Sequence, residues 1–189
     1  LSKAAVAPGV VAVFTAADIP GHNNIAGPGK DEPLFAHEKV EFIGQTVAMV
    51  VAGTLDQARA AAEQAVLDIE PTEAILDLET ALAKRAYVQA PSTILRGDPD
   101  AAMKSAPHRL SGEFSVGGQE HFYLESQIAF ALPGEDGDLV VHSSTQHPTE
   151  VQHVCAELLG CDFNRVTVVV RRLGGGFGVS MVIGQFGNL

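Results

Sequence analysis

A glycine run near the end of the chain carries the residue types best suited to hold a bulky ligand. The β-branched stretch Val166–Arg171 leads through Leu173 into the loop Gly174–Gly178, which has one phenylalanine among its glycines. Consecutive glycines let a backbone approach a ligand closely and present its N–H groups. Val179 stands where a dinucleotide fingerprint needs its third glycine, and no Lys-Ser or Lys-Thr pair follows as in a phosphate-binding P-loop. The run alone also fits a plain turn, so its meaning depends on its neighbours.

Two other polar segments could share a site with this loop. Gln119–Glu125 sets four polar or ionisable side chains around an aromatic pair, and Ser143–Pro148 enters the N-terminus of a predicted helix. A helix N-terminus favours anions because its N–H groups are free and its dipole is positive there. Taken singly, the first segment also fits a solvated surface strand, and the second fits an ordinary helix cap.

Metal-ligating and nucleophilic patterns are missing from the sequence. His142, His147 and His153 do not have metal-ligand spacing on one face, and Cys155 and Cys161 form no zinc or iron–sulfur motif. No HExxH, GxSxG or paired-carboxylate pattern occurs. We therefore predict no catalytic side chain and no metal ligand in this chain. The two cysteines are interpreted as free thiols in a reducing cytoplasm.

Composition indicates a globular protein of 189 residues, with 46% hydrophobic and 19% charged residues. The net charge of −11 disfavours nucleic acid and anionic membrane surfaces as partners, because both are bound chiefly by Lys and Arg. No apolar run approaches the roughly 20 residues that cross a bilayer. The start, Leu1–Lys3, lacks both a signal-peptide pattern and an initiating Met, so we expect a chain that begins inside a longer reading frame.

The predicted elements place these segments in an α+β protein with a domain over residues 1–90, a linker over 91–100 and a second domain over 101–189. In the first domain we predict a small mixed sheet with one face covered by a helix. Its strands are Val10–Phe14, Lys39–Ile43, Thr46–Ala52 and Val66–Glu70, and its helix is Leu55–Ala65 with the cap Thr54.

The second domain is predicted to begin with a short helix from Pro99 to Lys104 and to end in a strand–helix–strand unit. The helix of this unit starts at Pro148 and ends before Gly160, with one apolar stripe, and its crossover is expected to be right-handed. Ligands usually bind beyond the carboxyl ends of such strands, where Ser143–His147 and Gly174–Gly178 would meet. Further strands are predicted at Glu113–Val116, Phe122–Leu124, Gln127–Leu132 and Leu139–His142.

Together these segments resemble the xanthine dehydrogenase and aldehyde oxidase family, over almost the whole chain. Pro8–Thr15 and Phe42–Ala48 are similar to its α/β hammerhead domain. Gln119–Glu125, Ser144–Pro148 and Arg171–Gly178 are similar to the first part of its molybdopterin-binding domain, which is an α/β domain. The Gln119–Glu125 segment leans toward the xanthine dehydrogenase branch, whose molybdenum-cofactor-binding subunit it resembles.

The resemblance implies a molybdenum–molybdopterin cofactor, with FAD and 2Fe–2S clusters on other domains or subunits of a hetero-oligomer. It implies cofactor contacts from Gln146, Gly175, Gly176 and Phe177. The Gln146 side chain and the Phe177 backbone would touch ligands of molybdenum, and the two glycines would let the pterin pack against the chain. The implied reaction hydroxylates a purine, from hypoxanthine or xanthine to urate, or an aldehyde, with oxygen from water.

The sequence leaves the family pattern after Gly178. Val179–Ile183 stands where the family continues with Gly, Lys and a substrate-positioning glutamate, and the chain ends at Leu189. We therefore expect a fragment that is inactive by itself. Two alternatives stay open: a non-catalytic remnant or subunit-docking domain, and a related hydroxylase of aldehydes or other heterocycles.

Overall fold

The computed structural model describes residues 1–26, 32–119, 121–126 and 128–177. The chain divides into two compact units, the first made of residues 1–67 with 120–189 and the second of Asp68–Gln119. The predicted boundaries at residues 90 and 100 stay a prediction. None of the helices in these described ranges combines the length and apolar character that a bilayer crossing needs.

The first part of unit one is a two-stranded sheet covered by a helix. Strand β1 (Val10–Phe14) pairs antiparallel with β2 (Met49–Ala52), and the short helix α1 (Ser2–Ala5) packs beside β1. Helix α2 (Leu55–Ala62) packs on β2 and buries Ala61 completely. Its first turn is capped as predicted, because the Thr54 hydroxyl accepts from the Gln57 N–H at 3.2 Å. The predicted helix is confirmed, although it ends three residues earlier than expected.

The strand predicted over Lys39–Ile43 is wrong, and the strand predicted from Thr46 begins only at Met49. The side chain of Gln45 accepts the Glu41 N–H at 2.7 Å, so a local turn takes the donor that a sheet would need. Gly44 closes this turn with a φ of +95°. Alternating polarity therefore led to a wrong prediction. A half-buried strand would bury its apolar face, but Ile43 is fully exposed.

Three other predicted strands are also wrong among the described residues. Val66–Glu70, Glu113–Val116 and Phe122–Leu124 form no strand. Val66 and Phe114 are largely exposed, so neither segment buries the apolar face that made it look like a strand. Phe122 has a φ of +52°, which an extended strand excludes.

The second part of unit one is a three-stranded sheet with a helix on one face. Strand β3 (Ala129–Pro133) runs antiparallel to β4 (Leu139–Ser143), and β4 runs parallel to β5 (Val166–Val169). The predicted strands here are confirmed with shifted ends, apart from Gln127, which lies outside the described residues.

Helix α5 (Pro148–Leu159) crosses between β4 and β5 as predicted. Pro148 occupies its first turn, and Gly160 ends it with a φ of +65°. Its apolar stripe packs into the core, whose largest fully buried side chains are Val141, Val151, Val154 and Val166. The handedness of the crossover stays a prediction.

A loop from the first part caps the end of α5. The N–H groups of Gly21 and His22 donate to the carbonyls of Leu158 and Glu157 at 2.9 and 2.8 Å. The last carbonyls of a helix have no partner within the helix, so this loop satisfies two of them. The loop therefore fixes the two sheets of unit one to each other. The side chain of Asn23 stabilises the same loop, because it donates a hydrogen bond to the Phe35 carbonyl and accepts one from the Phe35 N–H.

The second unit contains two short helices. Helix α4 (Pro99–Ser105) starts as predicted at Asp98, whose carboxylate accepts the Ala101 N–H at 2.9 Å. Helix α3 (Leu78–Lys84) was not predicted, although Asp77 caps it in the same way. Hydrogen bonds from the Thr80 backbone and side chain lower the pKa of Asp77.

We expect Gly21→Ala to destabilise unit one, because the added Cβ would lie 1.9 Å from the Glu157 carbonyl oxygen. Relief requires the loop to leave the helix end, at a cost of about 1–3 kcal/mol in the free energy of unfolding. Chemical denaturation measures this change. Gly112→Ala is the matched control, since nothing lies within 4 Å of its Cβ position. Equal stability of the two variants would contradict the capping role.

The two cysteines should differ in reactivity. Burial, with a smaller contribution from neighbouring Cys161, raises the pKa of the Cys155 thiol to about 12. Cys161 is half-buried, and both thiols are free. Because the thiolate is the nucleophile, iodoacetamide should alkylate Cys161 in the folded protein and reach Cys155 only after unfolding. Peptide mass spectrometry measures this order, and equal labelling of both thiols would contradict it.

Candidate functional site

The glycine loop is packed against the segment that carries His121, Tyr123 and Glu125. The His121 ring stacks on the Phe177 ring at 6.1 Å between centroids, with 10° between planes. A Cβ on Gly175 would lie 2.8 Å from the Cβ of Tyr123. His121, Tyr123 and Glu125, which are every second residue of the segment, therefore have their side chains against the loop.

The alternate side chains of this segment point away from the loop. Phe122 and Leu124 are 85% and 95% exposed, although both are strongly apolar. The segment is therefore not a solvated polar strand but a strip with one face on the glycine loop and one apolar face outward.

The third predicted segment reaches the same loop through Gln146. A Cβ on Gly176 would lie 2.4 Å from both Cδ and Oε1 of Gln146, so the amide occupies the space that a side chain at this position would need. Gly176 is buried, while Gln146 is exposed. Thr145 is 2% exposed, and its hydroxyl accepts the His147 N–H at 3.1 Å, which holds the turn between β4 and α5. The expected meeting of the two loops is confirmed for residues up to Phe177, while Gly178 lies outside the described residues.

Glu125 joins all three segments. Its Oε2 accepts the Ser144 hydroxyl at 2.7 Å and also the backbone N–H of Gly174. The hydrogen bond from Ser144, and after it that from Gly174, lowers the pKa of this carboxyl. The sequence placed Glu125 in a motif but gave it no role, because residue spacing does not show which backbone N–H donates a hydrogen bond to its carboxylate.

The backbone of the loop is held in an uncommon conformation. Gly175 has a φ of +120°, and Phe177 has a φ of +49° although it is not glycine. A bulky residue in the left-handed region costs energy and is found where surrounding contacts impose it. The stack on His121 and the packing of Tyr123 supply such contacts here.

The histidines form no metal site in the described ranges. His153 stacks on Phe163 at 4.2 Å, and His142 lies 6.5 Å from the Phe130 ring. Within the part of the chain that the structure describes, no group of three His, Cys, Asp or Glu side chains could hold a metal ion. The interpretation of the three histidines as non-ligands stays a prediction.

A cavity of about 580 Å³ opens beside the Glu125 junction. Phe130 and His142 of the uncovered sheet face line it, together with Arg171 and Arg172 after β5. Sequence reasoning used the two arginines only as part of a motif. Their place on a cavity wall depends on sheet pairing, which no local pattern shows.

Comparison with known proteins decides the family. Residues 82–186 match the family of molybdopterin cofactor-binding domains, and residues 1–73 match the a/b hammerhead domain of aldehyde oxidase and xanthine dehydrogenase. The chain belongs to the xanthine dehydrogenase and aldehyde oxidase family. The predicted fold class, an α/β hammerhead domain followed by the first part of a molybdopterin-binding domain, is thereby confirmed.

The relatives include both branches of this family of molybdenum hydroxylases. The chain is 40% identical over 178 residues to the xanthine dehydrogenase/oxidase of Felis catus, with coverage of 94% of this chain and 13% of that protein. It is 40% identical over 182 residues to aldehyde oxidase 4 of Rattus norvegicus, again with 94% and 13% coverage. Among solved structures, the aldehyde oxidoreductase of Desulfovibrio gigas superposes with a TM-score of 0.75 at 30% identity, covering 93% of this chain and 21% of that one.

The donor groups at the site fit the molybdenum–molybdopterin cofactor that the family carries. Gln146 offers an amide that can donate and accept, and the loop offers backbone N–H groups at Gly175 to Phe177. Such groups hydrogen-bond to a cofactor and do not ligate its metal, which suits a metal held by the pterin itself. A Cβ at Gly175 or Gly176 would collide with this chain's own side chains, so both glycines are also needed for internal packing.

We expect the cost of Gly176→Ala to depend on Gln146. The added Cβ meets the far part of a flexible side chain, so removing that side chain in Gln146→Ala should relieve the collision. A double-mutant cycle in the free energy of unfolding should give a coupling of about 1 kcal/mol or more. Gly175→Ala is the contrasting variant, because its φ of +120° keeps it strained whichever residue stands at 146. Strict additivity for Gly176 and Gln146 would contradict the packing.

Proposed function

We propose that this chain forms one wall of the molybdenum site in a hydroxylase that converts hypoxanthine and xanthine to urate, with oxygen from water. The observation that carries the proposal is the packing of two distant segments on one glycine loop, with Gln146 against Gly176, and Tyr123 and Glu125 of the other segment against Gly175 and Gly174. A turn without function would need no such convergence. The chain spans 13% of the curated relatives it matches, so the activity of a whole enzyme is part of the proposal.

Each residue at the loop has a distinct part in this proposal. The Gln146 amide would hydrogen-bond to a ligand of molybdenum, and the Phe177 backbone would donate to another. Gly175 and Gly176 would let the pterin approach the backbone, since neither residue has a side chain of its own. When bound, the cofactor would supply the two-electron oxidation of the substrate carbon. The chain's own residues bind and orient, and we assign none of them a catalytic role.

Purines are favoured by the likeness of Gln119–Glu125 to the xanthine dehydrogenase branch. The equal 40% identity to an aldehyde oxidase supports a second candidate, a hydroxylase of aldehydes or other heterocycles. A third candidate is a non-catalytic docking domain. The exposed apolar side chains of Phe130 and Leu132 on the uncovered sheet face support it.

Further partners follow from the same proposal. Electrons would leave through iron–sulfur and FAD centres on other domains or subunits, which implies a hetero-oligomer in the complete enzyme. We also propose a cytoplasmic location, on the ground of the two free thiols.

The test is to measure molybdenum and pterin in the purified complete enzyme that contains this chain, and then dye reduction with xanthine or with an aldehyde as the reductant. We expect both components at equal molar amounts and faster reduction with xanthine. Gln146→Ala should lower cofactor content or activity by about 10-fold or more, as loss of a partner around a metal site commonly does. The exposed Gln64→Ala should change neither.

Each other outcome selects a different candidate. Faster reduction with aldehyde would favour the second one. A complete enzyme that holds no molybdenum or pterin after expression with both supplied would contradict a cofactor site and favour docking.

A further inference from the structure

One carboxylate lies where the three site segments cross. Oε2 of Glu125 accepts from Ser144, which is 19 residues away in the chain, and from Gly174, which is 49 residues away. Both bonds reach the same oxygen atom. The carboxylate is thus a single point that links the strip 121–125, the loop after β4 and the glycine loop.

The two donors stand close to the residues proposed to face the cofactor. Ser144 precedes Gln146 by two residues, and Gly174 precedes Phe177 by three. The Ser144 hydroxyl also lies 3.4 Å from the Arg172 carbonyl oxygen, so it touches the strand exit that leads to the glycine loop. A shift of this carboxylate would therefore move both loops.

Packing makes the junction specific for glycine at position 174. A Cβ there would lie 2.7 Å from the Cβ of Glu125 and 2.8 Å from its Oε2. The stem of Glu125, and not only its flexible end, fills this space. The position of Glu125 therefore requires a glycine at position 174, because any side chain there would need the space that Glu125 fills.

We propose that Glu125 is a positioning residue of the cofactor site, which holds the Gln146 loop and the Phe177 loop in register through Ser144 and Gly174. The inference rests on the proposed function for its cofactor, but the junction itself is a property of this chain. Glu125 touches neither Gln146 nor Phe177 in these bonds, so its effect on the cofactor would be transmitted through the backbone of both loops.

The charge on Glu125 should matter because an ionised acceptor makes stronger hydrogen bonds than a neutral one. The pKa of this carboxyl is lowered from its ordinary value of 4.5, so the folded state favours the ionised form. The stabilisation is therefore complete above the ordinary pKa and is lost as the pH falls through the lowered one. Glu125→Gln keeps an oxygen acceptor of the same reach but removes the charge and its titration.

The experiment compares the protein carrying Glu125→Ala, Glu125→Gln and the exposed control Glu135→Gln with the wild type. The first readout is hydrogen exchange at the Gly174 amide, resolved by fragmentation mass spectrometry. We expect faster exchange in Glu125→Ala and partial protection in Glu125→Gln. As the pH falls below 4.5, the ratio of wild-type to Gln protection should decline toward one, since intrinsic exchange cancels in the ratio.

The second readout is the molybdenum and pterin that the complete enzyme carrying each change retains after gel filtration at neutral pH. We expect about a 10-fold loss for Glu125→Ala, a smaller loss for Glu125→Gln and no change for Glu135→Gln. Ser144→Ala combined with Glu125→Ala should lose no more cofactor than Glu125→Ala alone, because both changes break the same junction.

The outcomes separate this inference from the proposed function. Unchanged Gly174 exchange in Glu125→Ala would overturn the junction. Faster exchange with full cofactor retention would overturn the positioning role while the proposed function stands. A complete wild-type enzyme that holds no cofactor would overturn the proposed function, and Gly174 exchange would still decide whether the junction exists.

Discussion

The site depends on three consecutive glycines, because a side chain at any of these positions would collide with a neighbouring segment. A Cβ at Gly174, Gly175 or Gly176 would come within 3 Å of Glu125, Tyr123 or Gln146, respectively. Real Cβ atoms do not approach other atoms so closely, so the loop can pack in this way only as glycine. Glycine loops are usually explained by what a ligand needs. Here the chain's own side chains, which fill the space beside the three glycines, already require them.

The rest of unit one keeps the two loops at one edge. The parallel pairing of β4 and β5 places their carboxyl ends side by side, and α5 closes the crossover on the buried Val141 and Val166. The hammerhead part contributes from a distance, because its Gly21–His22 loop satisfies the last carbonyls of α5. The helix that carries the Gln146 loop at its start is thus anchored at its other end by the preceding domain. Packing therefore links the family's two domains before any cofactor is considered.

Local signals in the sequence were sufficient for some elements and not for others. Helix α5 was predictable because Pro148, an apolar stripe and Gly160 mark its start, face and end independently. The strand at Lys39–Ile43 was not, because alternation cannot show that Gln45 takes the Glu41 N–H. The glycine loop and Gln146 were found through motif likeness, whereas the Glu125 junction was not. It joins residues 49 positions apart, and only the pairing of β4 with β5 sets that distance.

The chemistry of the junction explains why a carboxylate serves there and an amide serves at Gln146. An ionised carboxylate can only accept, so it fixes the direction of every bond it makes. The Ser144 hydroxyl could donate or accept elsewhere, but at 2.7 Å from Glu125 and 3.4 Å from the Arg172 carbonyl its proton goes to the shorter, charged partner. Gln146 would instead meet ligands of molybdenum in the proposed function, and an amide can donate from one end and accept at the other. The Glu125 carboxylate therefore suits a fixed junction of the scaffold, and an amide suits the contact proposed for Gln146.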